Sequence, residues 1–169
     1  LTTFLDMIGT LLISLLQLRN SFTKSNKEAM LSSYSSLSSI YISMALVNVQ
    51  THRYHIVKTL DEIGHFLGVK PQSDGKYRID EDFPGHINSV MNEFCTKAQR
   101  KEALEFVDIS TVEDRLRGKN TIVHEFIGKV SGWCRERFIP VDYDADGRLW
   151  HVLYCVENID EEKRRENRL

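Results

Sequence analysis

The sequence contains few cysteines, few prolines and almost no net charge. Its 169 residues include three cysteines and three prolines, and the formal net charge is −2. Cys95, Cys134 and Cys155 are widely spaced, which excludes a disulfide framework and favours a reducing, cytoplasmic environment. The near-neutral balance argues against nucleic acid as a partner, because no bulk positive field attracts phosphate.

Long apolar runs are also absent. The uncharged run between Asp6 and Arg19 is shorter than the roughly 20 residues that a membrane span requires. Its flanks do not resemble a secretory signal. Because the chain begins with Leu1 rather than methionine, we expect a piece of a longer protein. A membrane tether would then lie in an upstream segment of that parent protein.

Motifs that carry enzyme chemistry are missing as well. The sequence has no phosphate-binding loop, dinucleotide fingerprint, nucleophile elbow or paired-carboxylate motif, so we predict a non-catalytic chain. The Asp142–Gly147 segment matches the first half of a calcium loop, but Leu153 occupies the position of the closing glutamate. His52 and His55 have no nearby carboxylate or cysteine to complete a metal site. We predict no metal, and the sequence indicates no cofactor.

The first third of the chain has a helical, coiled-coil-like pattern. Apolar residues recur in alternating steps of three and four, which is typical of a dimer seam. The seam consists of Phe4, Ile8, Leu11, Leu15, Leu18 and Phe22. Leu5, Leu12 and Leu16 widen the stripe, so part of it can also fold back on the chain's own sheet. We predict a parallel homodimer, with a second helix starting at the Ser25–Glu28 capping box.

Strand-like and helix-like patterns alternate after residue 39. A hairpin is predicted over 40–49 and 54–59, and a short helix over 61–67. Helical patterns follow from Pro84 to Val107, and a Ser110–Glu113 capping box begins another helix that stops at Gly118. Three strands and an exit helix complete the order. The strands are predicted at 121–128, 132–142 and 148–156, with a tight turn at Asp146-Gly147 and the helix starting at Asp160.

Three C-terminal segments carry a family resemblance. Residues 132–141, 144–148 and 150–165 resemble the fourth strand, the last turn, and the final strand with its exit helix in PAS-like sensors of bacterial signalling proteins. Such sensors precede GGDEF diguanylate cyclase or histidine kinase output domains. Many PAS domains end in Asp-Ile-Thr, where this chain has Asn158, Ile159 and Asp160.

The resemblance implies an α+β fold. It would have a five-stranded antiparallel sheet with short helices on one face, preceded by N-terminal helices. We accordingly divide the chain into an N-terminal helical segment (1–39), a PAS-like domain (40–158) and the start of an exit signalling helix (159–169).

The resemblance also implies a sensory and dimerisation module that relays ligand or packing changes to an output domain. A small, unidentified ligand would bind between the sheet and the helices of 61–117. The candidate pocket residues are Phe94, Trp133, Arg135, Trp150 and Tyr154, and the signal exit is Asn158, Ile159 and Asp160. The alternative is a purely structural dimerisation module with a filled core. A cavity above roughly 300 Å³ with convergent polar groups would favour the sensor.

Overall fold

The centre of the molecule is an antiparallel sheet. The computed structural model describes residues 41–58, 79–80 and 82–168, all of which belong to one compact unit. Aromatic and β-branched side chains, which suit a pleated surface, are frequent in the longer strands. The strands are β1 (Tyr41–Asn48), β2 (Tyr54–Lys58), β3 (Ile79–Asp80), β4 (Ile122–Gly128), β5 (Gly132–Tyr143) and β6 (Leu149–Asn158).

The strand order is β3-β2-β1-β6-β5-β4, and every neighbouring pair is antiparallel. The predicted hairpin is β1–β2, and the three predicted C-terminal strands are consecutive neighbours. The five long strands confirm the predicted α+β, PAS-like antiparallel sheet. The two-residue strand β3 was not predicted, because two residues are too few to show an alternating pattern.

Within the described ranges, five helical elements accompany the sheet. They are α1 (Phe83–Phe94), α2 (Arg100–Phe106), a 3₁₀ turn (Ile109–Thr111), α3 (Val112–Leu116) and α4 (Asp160–Glu166). Helix α1 begins where the Asp82 carboxylate accepts a hydrogen bond from the Gly85 amide at 2.9 Å, and Pro84 lies in its first turn. It ends at Cys95, whose backbone is extended. Helix α4 starts at Asp160, the residue predicted as the start of the exit helix.

The predicted capping box of Ser110 and Glu113 is wrong. Asp108 is the cap of the 3₁₀ turn, since its carboxylate accepts hydrogen bonds from the Ser110 amide at 3.0 Å and hydroxyl at 2.6 Å. The Glu113 carboxylate instead accepts from the Leu149 amide at 2.9 Å. Glu113 thus connects α3 to β6, and this tertiary contact replaces the local one that the spacing suggested.

The core lies between one face of the sheet and the helices, as predicted. Alternate strand residues on this face, including Phe126, Phe138 and Tyr154, are buried in one cluster with Phe83 and Ile87 of α1. The helical side contributes an apolar stripe at three- and four-residue spacing. Its buried members in α1 are Phe83, Ile87, Val90 and Met91.

Several predictions fall outside the described residues. The N-terminal helices with the dimer seam Phe4, Ile8, Leu11, Leu15, Leu18 and Phe22 do so, and so does the helix at 61–67. The division into 1–39, 40–158 and 159–169 also stays a prediction. In the part of the chain that the structure describes, no helix has the length and apolar character needed to cross a membrane.

Candidate functional site

A cavity of about 290 Å³ lies between helix α1 and the sheet. This volume is just below the roughly 300–1,000 Å³ typical of small-molecule sites, so it does not reach the size that would favour a sensor over a filled core. Its wall is mainly apolar. The described lining residues are Ile42, Ser43, Ala45, Ile56, Phe83, His86, Ile87, Val90, Met91, Phe94, Phe126, Gly128, Val130, Ser131, Cys134, Tyr154, Val156 and Asn158.

Polar lining groups meet where the β4–β5 turn approaches the end of β6. Ser131, Cys134 and Asn158 all line this part of the cavity. The Ser131 hydroxyl lies 3.2 Å from the Cys134 sulfur, and the Asn158 amide donates to the Ser131 carbonyl at 2.6 Å. Burial raises the pKa of the Cys134 thiol, so this group remains a neutral, weakly polar part of the wall. A ligand at this end of the cavity would meet both apolar walls and these polar groups.

The structure places the five candidate pocket residues in different environments. Phe94 and Tyr154 line the cavity. Trp133 and Arg135 alternate along β5 with the buried Cys134, so they lie on the opposite face of the sheet. Trp150 is half-buried near the turn after β1, where its carbonyl accepts from the Val49 amide at 2.9 Å.

The signal-exit residues form a compact hydrogen-bonded junction. The Asn158 carbonyl oxygen Oδ1 accepts from the Asp160 amide at 3.0 Å, directly before α4. The Ile159 amide donates to the Trp133 carbonyl at 2.9 Å, and the Asp160 carboxylate accepts from the Trp133 amide at 3.2 Å. The start of the exit helix is thereby tied to the start of β5. Asn158 alone of these three exit residues also lines the cavity.

A second set of contacts holds α4 against the face of the sheet opposite the cavity. Arg135 contacts Glu125 and Glu162 at 2.8 Å and Glu157 at 3.2 Å. Lys163 contacts Glu125 at 2.7 Å and lies 5.5 Å from the centre of the Trp133 ring. Hydrogen bonds from Lys163 and Arg135 lower the pKa of Glu125, so this carboxylate stays charged. These contacts link α4 to β4, β5 and β6.

The sequence prediction missed a buried carboxylate behind the cavity. The Glu136 side chain is fully buried, and it contacts the Tyr154 hydroxyl at 2.6 Å and the His124 ring at 2.8 Å. A signal was present in the sequence, because Glu136 alternates between Cys134 and Phe138 on what reads as a core-facing strand. Its partners could not be identified, since they depend on pairing between β4, β5 and β6.

The calcium-like segment forms a hairpin turn. Asp144 accepts hydrogen bonds from the amides of Asp146 at 3.0 Å and Arg148 at 2.8 Å, while Asp142 contacts the His151 ring at 2.7 Å. Its carboxylates therefore support the turn and the adjacent strand. Across the described ranges, no group of three histidine, cysteine or acidic side chains is arranged to hold a metal ion.

The fold is similar to that of a solved sensor-domain structure. The N-terminal domain of a diguanylate cyclase with a PAS/PAC sensor from Marinobacter aquaeolei is 16% identical, with a TM-score of 0.41. The match covers 72% of this chain and 98% of that chain. No protein-family model matches the sequence, and no curated protein matches it.

Proposed function

We propose that this chain is a non-catalytic sensory module of a larger, cytoplasmic bacterial signalling protein. It binds a small molecule in the cavity beneath α1. The conformational change that binding causes is relayed through α4 to an output domain of the GGDEF or histidine kinase type. Two copies associate through the seam of the N-terminal segment, so that the two exit helices lie close together. The sequence resemblance and the position of the cavity support this proposal.

The observation that carries the proposal is that Asn158 belongs both to the cavity wall and to the junction with α4. Its side chain lines the cavity, and it also makes the hydrogen bonds that precede α4. A ligand that displaces this side chain changes the contacts to Ser131 and Asp160 together. The displacement has a direct path to the exit helix, because the Asn158 side chain accepts a hydrogen bond from the amide of Asp160, the first residue of α4.

Benzene is a suitable first probe of the cavity. An apolar cavity of about 150 Å³ is enough to bind benzene, and this one has about 290 Å³. We expect benzene to shift the NMR methyl signals of Ile87 and Val90 and also the amide signals of Ile159 and Asp160. The methyl signals report entry into the cavity, and the amide signals report transmission to α4.

Asn158→Ala tests the transmission separately from entry. In this variant we expect the methyl shifts to remain and the amide shifts at Ile159 and Asp160 to be lost. Asn92→Ala is the matched control, because Asn92 lies on the exposed side of α1 and its side chain bonds only to the carbonyl of Asn88 among the contacts described. Equal amide shifts in both variants would contradict the relay. An absence of methyl shifts would favour the structural dimerisation module.

A further inference from the structure

A buried carboxyl group connects the cavity wall to solvent. The Glu136 Oε2 atom accepts a hydrogen bond from the Tyr154 hydroxyl at 2.6 Å, and the Oε1 atom lies 2.8 Å from Nδ1 of His124. None of the Glu136 side chain is exposed, whereas 20% of the His124 side chain is. The three residues therefore form a chain from a partly exposed ring on β4, through β5, to a cavity-lining ring on β6.

In the part of the chain that the structure describes, no lysine or arginine contacts the Glu136 carboxyl group directly. Arg115 of α3 is near, but its guanidinium donates to the Phe106 carbonyl at 2.6 Å and to the Asp108 carbonyl at 3.4 Å. Its charge therefore helps the carboxylate only from a distance. The titratable and charged groups that act on Glu136 from the surrounding elements are His124 of β4, Arg115 of α3, Tyr154 of β6, Cys134 of β5 and Cys95 after α1.

Burial has the largest effect on the pKa of Glu136. It raises the pKa of Glu136, although the hydrogen bonds from His124 and Tyr154 and the charge of Arg115 act in the opposite direction. Burial also raises the pKa of Tyr154 well above its ordinary value, so its hydroxyl remains a donor. The neutral carboxyl group can then donate to Nδ1 of His124 while it accepts from Tyr154, which satisfies all three groups.

We propose that His124, Glu136 and Tyr154 form a proton-responsive relay that makes the state of the cavity depend on pH. When the pH rises, the Glu136 carboxyl group loses its proton to solvent through the His124 imidazole and becomes a carboxylate. Among the described residues, the donors that it contacts directly are then Tyr154 and His124, so both rings are drawn towards the new charge. Tyr154 lines the cavity, and its movement changes the wall.

The stacking of His124 supports this direction of transmission. Its ring lies on that of Phe106, with centroids 5.3 Å apart and planes at 23°. The ring centroids of Phe106 and Phe138 are 5.6 Å apart, and those of Phe138 and Tyr154 are 5.0 Å apart. A shift of either polar ring is therefore carried by tightly packed aromatic neighbours, which cannot deform continuously.

Binding in the cavity and protonation of Glu136 must be reciprocal if the relay operates. A molecule that prefers one position of Tyr154 changes the proton affinity of Glu136, and pH changes the affinity for that molecule by the same factor. This part of the inference rests on the proposed function, whereas the proton site itself does not. The two parts can therefore be tested separately.

The test follows carboxyl protonation in the whole 169-residue chain by infrared and ¹³C NMR spectroscopy. We expect one glutamate to keep its proton above the range of about pH 4–5 in which exposed carboxyl groups titrate. The signal should vanish in Glu136→Gln and remain in Glu105→Gln, where an exposed helical glutamate is changed in the same way. Titration of every carboxyl group in the ordinary range would overturn the proposal.

Unfolding experiments give a second readout. Because the folded-state pKa of Glu136 is raised, the wild-type stability relative to Glu136→Gln should fall as the pH rises above the ordinary glutamate pKa, and level off above the folded-state pKa. Parallel stability curves would contradict this. If the Glu136→Gln variant does not fold, Tyr154→Phe provides an alternative test of the Glu136 titration. Since it removes a donor to the carboxylate, it should move the Glu136 midpoint to higher pH.

Benzene distinguishes the relay from the proposed function. We expect saturating benzene to move the Glu136 midpoint in the wild-type protein. Benzene that binds without moving the midpoint would overturn the connection to the cavity. A cavity closed to benzene, together with a persistently protonated Glu136, would support the proton site and contradict the proposed sensory function.

Discussion

Gly132 provides a sharp test of the junction between β5 and the exit helix. Its φ is +70°, and a Cβ atom at this position would lie 2.5 Å from Oδ1 of Asp160. That oxygen accepts the hydrogen bond from the Trp133 amide. Gly132→Ala therefore imposes backbone strain and also displaces the carboxylate that holds the first turn of α4.

Gly147→Ala separates the two effects. Gly147 has a similar φ of +77°, but a Cβ atom there has no neighbour within 4 Å. A left-handed backbone costs an alanine about 1–2 kcal/mol. The loss of a hydrogen bond to a charged acceptor costs about 1.5–3 kcal/mol more. We therefore expect the free energy of unfolding to fall by about 1–2 kcal/mol in Gly147→Ala and by about 2.5–5 kcal/mol in Gly132→Ala.

Urea denaturation measures both costs, and amide hydrogen exchange locates them. In Gly132→Ala the exchange of the Trp133 amide should accelerate by roughly tenfold or more relative to Gly147→Ala, because 1.4 kcal/mol corresponds to a factor of ten. Amides in α4 should respond in the same direction. If the two variants lose equal stability and exchange equally at Trp133, the Asp160 contact does not hold the exit junction and our reasoning is refuted.

Two further predictions concern the dimer seam and the buried thiols. Replacing Ile8 and Leu15 with aspartate should convert a homodimer into monomers that keep the β-rich domain folded, as measured by light scattering and circular dichroism; a wild-type chain that is monomeric at tens of micromolar would contradict this. Because burial raises the pKa of Cys155 to about 12, its alkylation at pH 8 should follow the unfolding rate and become fast in urea. Rapid alkylation of Cys155 in the folded protein would contradict its burial.

The strands and turns of the C-terminal half could be predicted because their signals are local. Residues 132–142 were a strand candidate that the structure shows as β5, and Asp146-Gly147 marks the turn to β6 through a glycine that adopts a positive φ. Helix α1 was recognisable for the same kind of reason, since its cap, its proline and its apolar stripe lie within one continuous segment.

The candidate site was only partly predictable because it is formed by strand pairing. Tyr154 and Phe94 line the cavity, but Trp133 and Arg135 lie across the sheet from it. Aromatic character suggested Trp133 for the pocket, whereas its position next to Cys134 places it on the other face. Residue type alone does not determine which face of a strand borders a cavity.

The sequence by itself determined the order of the five long strands, their antiparallel hairpins and the start of the exit helix at Asp160, since each depends on residues close together in the chain. The tertiary structure decided which side chains meet. His124, Glu136 and Tyr154 come from three strands, and the 2.6 Å and 2.8 Å contacts among them exist only in the observed β4–β5–β6 register. A shift of one residue in either pairing would turn Glu136 and its partners to opposite faces. That register, fixed by core packing, creates the buried carboxyl group.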